Sequence, residues 1–498
     1  MNKLAGLLAE AARANRERTA LVCEGQRVTF GDVERLSNRI AGGLLALGLQ
    51  KGDRVAVLMQ NSIAYVLTDF ALIKAGLVRV PVNPRLAAGE MAFVVRDCGA
   101  AALVYSRMFE GTVGAIRRDL TDVRHFLCEP PEAAIDEFAA VDVTDDDPYM
   151  ILYTSGTTGR PKGAVTTLRS RWASLFHVYA NELLPTRDDV MLHAASLAHG
   201  SGTKVLPFYL KGAANVLMPR FTPAEFCRLV EKERATATWL VPTVIGMLLD
   251  APERHHHDLS SLRTIIYAGA PMPAQRLKEA LDGFGPVFVQ VYGLSEAPQP
   301  DLVLTREEHA AGGDRLASAG RPALGVEVRV EPGPDGIGEI LLRGEHVMTG
   351  YWGQPEATAE VLDGDGWFHT GDLARVDAEG YIYIVDRSKE LIISGGYNVY
   401  PREVEDALYS HPAVREAAVI GVPDAVWGEA VKACVALRPD AGAVTAEELM
   451  AHCGARLAGY KKPRSVDFHA ELPKSPTGKI LKKILREPYW RDVDRQVY

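Results

Sequence analysis

Two apolar runs bracket a helix pattern early in the chain, and this arrangement restricts the fold more than any other feature. DRVAVLM, from Asp53, is a buried strand; SIAYVLTDFALIKAG, from Ser62, is a helix; VRVPVNP, from Val78, is a strand that ends at prolines. Apolar strands alternating with helices mean parallel sheets covered on both faces. The pattern recurs at 217–218, 239–241, Thr264–Tyr267 and 287–292. Ahead of it, ALVCEG and QRVTF form a hairpin at Glu24-Gly25-Gln26, and a helix over 32–47 is stopped by Gly48.

The texture changes near Leu324. VEVRVEPGPDGIGEILLRGEHVMTGYW is strand and turn without helices, so a small β-rich subdomain is expected there. A domain boundary falls near 386–389, where polar residues interrupt two apolar strands. Beyond it come a helix (Pro401–Tyr409), strands (417–420 and 431–436), a helix (446–457), a strand, and the loop LPKSPTGKI. The fold class is therefore α/β. A large N-terminal domain (1–388) of doubly wound sheets carries the β-rich subdomain, and a small α+β C-terminal domain (389–498) follows.

Composition narrows the function. With 498 residues the chain is too long for one core. A net charge of −9 with no long basic run argues against nucleic acid. MNKLAGLLAEAARANRER is an amphipathic helix broken by Glu10 and Arg13, not a secretory signal, and no apolar run is long enough to span a bilayer. The six cysteines are scattered without CxxC, which fits a reducing cytosol.

An anion must then be bound by local devices, and YTSGTTGRPKG is one. Its glycines let backbone N–H groups converge, its hydroxyls add donors, and Lys162 adds charge. The Walker spacing does not fit, because Gly163 follows Lys162. A solvent-exposed Gly/Thr turn explains fewer of these residues. VQVYGLSEAPQ ends a buried strand, where ligands sit in open α/β sheets. Glu296 within it can hold Mg²⁺, which takes one or two carboxylates plus phosphate oxygens. GLSEA nearly matches the hydrolase elbow, but Ala297 replaces its last glycine and no triad accompanies it.

Other signals are weaker alone. Asp372 follows a glycine between two strand-like segments, as turn residues do, and Arg387 can pair with it. Lys479 in isolation reads as a solvated charge. His255-His256-His257 reads as an exposed loop, and Cys98 and Cys434 read as core.

Taken in order, YTSGTTGRPKG, YAGAP, YGLSE, HTGDL, DRSKELIISGGYNVYP and LPKSPTGKI resemble the adenylate-forming (AMP-binding) superfamily, and within it the acyl-CoA synthetases, 4-coumarate ligases included. The resemblance covers essentially the whole chain. It implies an AMP-forming acid–thiol ligase. A carboxylate attacks the α-phosphate of ATP, pyrophosphate leaves, and coenzyme A then displaces AMP. A fatty or aromatic acid is expected as substrate, with ATP, Mg²⁺ and coenzyme A; a homodimer is left open.

The resemblance also assigns residues. Thr154, Ser155, Gly156, Thr157, Thr158, Gly159 and Lys162 should wrap the β- and γ-phosphates. Gly269, Ala270 and Pro271 should line adenine, with Gln290, Tyr292, Gly293 and Leu294 around the nucleotide. Ser295 should touch the α-phosphate, and Glu296 with Thr154 should hold Mg²⁺. Asp372 should accept from both ribose hydroxyls, assisted by Arg387. Lys479 should bridge the carboxylate and α-phosphate oxygens. Lys389 matches a hinge about which the small domain rotates, bringing Gly395, Gly396 and Tyr397 to coenzyme A. His199, Val241, Thr243, Tyr267, Ala268 and Gly269 should line the acyl pocket; a satisfied histidine at a helix start is the plainer reading of His199. Two rival activities share the first half-reaction. A carrier-loading adenylation domain would carry a downstream phosphopantetheine serine domain, and a luciferase-like monooxygenase would oxidise its adenylate.

Overall fold

The computed structural model describes residues 2–154, 161–298, 300–334, 336–387, 390–439, 441–475 and 478–491. The βαβ unit that opened the sequence forms as expected. Arg54–Leu58 pairs in parallel with Val78–Pro81. The helix between them, Ile63–Ala75, starts where the Ser62 hydroxyl accepts from the Tyr65 N–H and ends at Gly76, whose φ of 64° suits a glycine. Nearly every residue of that helix is buried, so its all-round apolarity is explained by burial between layers.

Two large sheets dominate. A seven-stranded sheet holds this unit, and a nine-stranded sheet is parallel through its centre with antiparallel edges. Apolar clusters cover both faces of the nine-stranded sheet. Trp239, Ile266, Ala268 and Val291 pack on one face, and Leu240, Tyr267 and Phe288 on the other. The β-rich region is a four-stranded antiparallel sheet, and the C-terminal part builds a five-stranded sheet around the long pair Val414–Asp424 and Gly428–Leu437.

Several expectations need correction. GYW was read with the β-rich subdomain, yet Gly350–Tyr351 pairs with Lys162–Thr167 on the edge of the seven-stranded sheet. The edge strand needs a partner, and a two-residue segment supplies one wherever the chain passes. Asp372 is not in a turn but inside the strand Phe368–Val376; the preceding Gly371, at φ 72°, supplies the local kink that suggested one. The helix expected over 446–457 stops at Gly454. A last helix, Lys482–Trp490, had no sequence expectation; Pro488 inside it obscures the pattern.

The C-terminal part docks on the N-terminal part through few described bonds. The Thr243 hydroxyl donates to the Gly478 carbonyl (3.1 Å), and Arg402 Nη2 donates to the Met272 carbonyl (3.5 Å). Asp386 accepts from the Arg402 N–H at the start of the helix Pro401–Tyr409, and burial pushes its carboxyl up to about 6. Among the described residues no helix is long and apolar enough to cross a membrane.

Candidate active site

Parallel strands end on one edge of a sheet, and that edge defines the site. Ala237–Leu240, Thr264–Tyr267 and Phe288–Tyr292 are neighbours and all run the same way. Their C-terminal ends therefore deliver Thr243, Gly269 and Gly293 side by side, where α/β sheets bind ligands. Above this edge lies a cleft of about 1240 Å³. Its N-terminal wall includes Gly269, Ala270, Pro271, Gln290, Tyr292, Gly293 and Leu294. Asp372 and Arg387 line it from the four-stranded sheet, and Lys479 from the C-terminal part.

The centre of the cleft is a charge-assisted cluster. Tyr292 Oη donates to Asp372 Oδ2 (2.6 Å), and Arg387 Nε donates to Oδ1 (2.9 Å). The Thr370 hydroxyl accepts from the Asp372 N–H and donates to the Ile340 carbonyl, which fixes the strand locally. Burial, then the Asp372 charge, pushes the Tyr292 phenol well up, so it stays a donor; Asp372 raises Arg387, so it stays a cation. A carboxylate has roughly four lone-pair sites. Two are used by protein, leaving one on each oxygen for a vicinal pair of hydroxyls.

Lys479 reaches this cluster from a tight loop. Ser475 N–H donates to the Lys479 carbonyl (2.7 Å), and Gly478 N–H donates to the Ser475 carbonyl (2.8 Å). Gly478 has φ 85°, a left-handed backbone that favours glycine, and a methyl there would make an ordinary contact with Val241 at 3.4 Å. Enclosure by the cleft walls lowers the Lys479 pKa; Arg387 lowers it further, and Glu390 and Asp372 oppose this. Lys482 is held by Glu405 (2.8 Å) and Glu390 (3.2 Å). Nothing in the sequence singled out Lys482 or Glu390 as partners, because their pairing needs the fold.

The hairpin expected to hold phosphate is built on the other large sheet. Pro148–Thr154 and Lys162–Thr167 are an antiparallel pair, and Thr154 lies opposite Lys162. Thr154 and Lys162 thus stand at the mouth of one hairpin. Ser155, Gly156, Thr157, Thr158 and Gly159 lie outside the described residues, as does Lys389. Lys162 Nζ sits 4.9 Å from the centre of the Tyr351 ring. Tyr351 Oη in turn donates to Glu296 Oε1 (2.9 Å), and Met348 N–H donates to the Glu296 carbonyl (2.7 Å). Tyr351 therefore links the cation to the carboxylate, a role the sequence did not signal. Ser295 precedes Glu296 in the same half-buried loop.

Among the described residues no cluster of three or more His, Cys, Asp or Glu can cage a metal. A single carboxylate such as Glu296 fits Mg²⁺ held mainly by substrate phosphates. Tyr351→Phe should cost a few-fold to about tenfold in adenylation, the usual worth of one hydrogen bond, with a raised Mg²⁺ requirement. Titrating Mg²⁺ against pyrophosphate release checks this; an unchanged requirement would contradict the link.

The expected acyl residues are dispersed. Thr243 and Gly269 line the cleft. Tyr267 is fully buried on the opposite face of its sheet, donating to Gln290 Oε1 (2.7 Å), and does not line the cleft. His199 is half-buried at the start of the short turn Gly200–Lys204. Burial lowers its pKa to about 4, so the neutral ring accepts at Nε2 from the Asn83 amide (2.9 Å). Val241 packs beside Gly269 and Gly478, and Ala268 is buried on the same side of the sheet. Gly395, Gly396 and Tyr397 lie elsewhere on the C-terminal part. The two glycines, at φ 60° and 79°, make the turn between Ile392–Ser394 and Tyr397–Val399, and Tyr397 stacks on Tyr460.

A cleft at the C-terminal edge of parallel strands, lined by the paired Asp372 and Arg387 and by Lys479, suits an adenylate-forming enzyme. The family comparisons agree. The AMP-binding enzyme model matches residues 8–352, and the AMP-binding enzyme C-terminal domain matches residues 403–479. The chain belongs to the AMP-binding enzyme family. It is 43% identical to a feruloyl-CoA synthase from an Amycolatopsis species, over 96% of this chain and 97% of that protein. It is 38% identical to the long-chain-fatty-acid–CoA ligase FadD13 of Mycobacterium tuberculosis, over 93% of each. The anthranilate CoA ligase AuaEII, solved with anthranoyl-AMP, superposes with a TM-score of 0.88 at 28% identity, over 98% of this chain and 97% of that one. The chain is an acyl-CoA synthetase: it activates an acid as acyl-AMP and transfers the acyl group to coenzyme A.

Proposed function

We propose a division of labour within that reaction, carried by one observation: Lys479 from the C-terminal part and Asp372 from the N-terminal part line the same cleft. A carboxylate is a poor acylating agent because its leaving group would be oxide. Attack of its oxygen on the α-phosphate expels pyrophosphate and installs AMP, a far better leaving group. Lys479 offsets the negative charge that builds between carboxylate and phosphate. Asp372 holds the ribose, Gly269, Ala270 and Pro271 face the adenine with Gln290, Tyr292, Gly293 and Leu294, and Ser295 donates to the α-phosphate. The phosphate hairpin, with Lys162 at its mouth, holds the departing pyrophosphate. Mg²⁺, held by Glu296 with Thr154, would supply further charge neutralisation.

The second half-reaction needs another face of the C-terminal part, so a domain of 389–498 turns about Lys389 against 1–388. Separation of Lys479 from Gly395, Gly396 and Tyr397 supports this reading. The six cysteines, all free, support a reducing cytoplasm. A panel of carboxylic acids scored for pyrophosphate release, with and without coenzyme A, tests the whole. No release with any acid would leave it unsupported, and acyl transfer only to a carrier protein would favour the carrier-loading activity.

Gly395 offers a sharper test of the second step. A methyl group there would stand 2.5 Å from the Trp427 ring, and φ 60° disfavours a branched side chain. Gly395→Val should cut thioester formation at least about tenfold while pyrophosphate release changes little. Stopped-time assays of the two products separate the steps; a matched fall in both would contradict the assignment.

A further inference from the structure

The candidate site is divided between two sheets, and one buried pair of side chains joins them. Tyr292 ends a strand of the nine-stranded sheet, whereas Lys162 begins a strand of the seven-stranded sheet. Asp301 belongs to the first. Its N–H donates to the Tyr292 carbonyl (2.8 Å), and it leads into the strand Leu302–Leu304, which pairs with Phe288–Tyr292. His346 leads into the second, through Gly350–Tyr351, which pairs with Lys162–Thr167. Between the two lies Glu296. Its carbonyl accepts from Met348 N–H and its carboxylate from Tyr351 Oη, so the segment that starts at His346 grips it twice.

His346 Nε2 stands 2.8 Å from Asp301 Oδ1, and both side chains are fully buried. The approach is off the line of a hydrogen bond, and no other described group bonds either side chain. Charge, not an aligned bond, holds them together. Such a buried pair adds little stability, because desolvation offsets most of its attraction. The chain nevertheless makes room for it. Gly344 has an ordinary backbone, and a methyl there would stand 2.7 Å from His346 Nδ1. His177 packs edge-on against His346, with ring centres 4.9 Å apart. It ends the helix Leu168–His177, which begins where the strand Lys162–Thr167 stops. A methyl at Gly325 would stand 2.8 Å from His177 Nε2. Two glycines thus admit two imidazoles, and both imidazoles sit on the side of the seven-stranded sheet.

We propose that Asp301 and His346 are positioning residues for adenylation. Their charge pair fixes the sheet that holds ribose against the sheet that holds the β- and γ-phosphates. Neither touches substrate; both act through the loop that carries Glu296. This rests on the proposed function above, in which Asp372 holds ribose while Lys162 and Glu296 serve pyrophosphate and Mg²⁺. Uncoupling the sheets misplaces those phosphates relative to the sugar. AMP lacks them and is indifferent to the uncoupling.

The test is calorimetric titration of the full chain with AMP and with ATP plus Mg²⁺. Wild type, Asp301→Asn, His346→Gln and the double variant are compared, and their melting temperatures recorded. Each single variant should bind ATP with Mg²⁺ about tenfold more weakly or worse, and AMP as wild type does. Because the pair acts as a unit, the double variant should bind ATP no more weakly than either single. It should also melt no lower than the singles, since it leaves no unpaired buried charge. Equal weakening of AMP and ATP, an unchanged ATP affinity, or additive losses in the double variant would overturn the proposal. If a single variant does not fold, the double variant decides; failure of the double to fold would make the pair structural and overturn the proposal too. Glu296→Gln separates this from the reading beneath it. If that variant binds ATP with Mg²⁺ as wild type does, the Glu296 assignment falls, while the pair is still judged by its own variants.

Discussion

Lys479→Ala should lose about a hundredfold to a thousandfold in pyrophosphate release, the range for removing one group aimed at developing charge. Transfer from a supplied acyl-AMP to coenzyme A should be nearly unchanged, because the proposed division gives the lysine the first step only. Equal loss of both steps would refute the division. The pH profile gives a second readout. The protonated amine is the active form, and enclosure, with Arg387, lowers its pKa. The adenylation rate should therefore fall as pH rises through a value below the ordinary lysine range, and the alanine variant should lack this limb.

Asp372→Ala should be the next largest effect. It leaves the Tyr292 hydroxyl and the Arg387 guanidinium without their shared acceptor. Truncating one member of a buried, hydrogen-bonded charge pair costs about 2–5 kcal/mol. The Arg387 side chain is 37% exposed and can find water, which argues for the lower end. The expected result is about a hundredfold loss in kcat/KM for ATP, mostly through KM. Tyr292→Phe removes one donor and should cost about tenfold or less. ATP–pyrophosphate exchange at varied ATP measures both. An unchanged KM for ATP in Asp372→Ala would remove Asp372 from the ribose.

What the sequence made legible follows from the range of each interaction. The helix Ile63–Ala75 was readable because its cap, its apolar length and its terminal glycine are all local. The hairpin at Glu24-Gly25 was readable for the same reason: both residues take positive φ, and the flanking strands are adjacent in sequence. Glu296 was readable as a carboxylate at the end of a buried strand, whereas Lys479 was named through motif order, not through any local physical signal. Tyr351 was invisible because its partner Glu296 is 55 positions away, and its strand joins a sheet built mostly from earlier chain. Asp372 was mistaken for a turn residue because its glycine neighbour is a turn signal, whereas pairing with Arg387 across the sheet decides its place.

The sparse docking of the C-terminal part has a consequence for how the two half-reactions alternate. Thr243–Gly478 and Arg402–Met272 are ordinary neutral-acceptor bonds at 3.1 and 3.5 Å, and the Arg438–Glu279 ion pair between the two parts is a long one at 3.5 Å. A module tied by a short linker meets its partner at an effective concentration in the millimolar range. At that concentration a contact worth only about 4 kcal/mol is half formed. On the proposed rotation, neither orientation then needs to be strongly stable. Turnover becomes sensitive to linker length and stiffness, so lengthening the chain at 388–389 should slow the passage between steps while leaving each bound state intact.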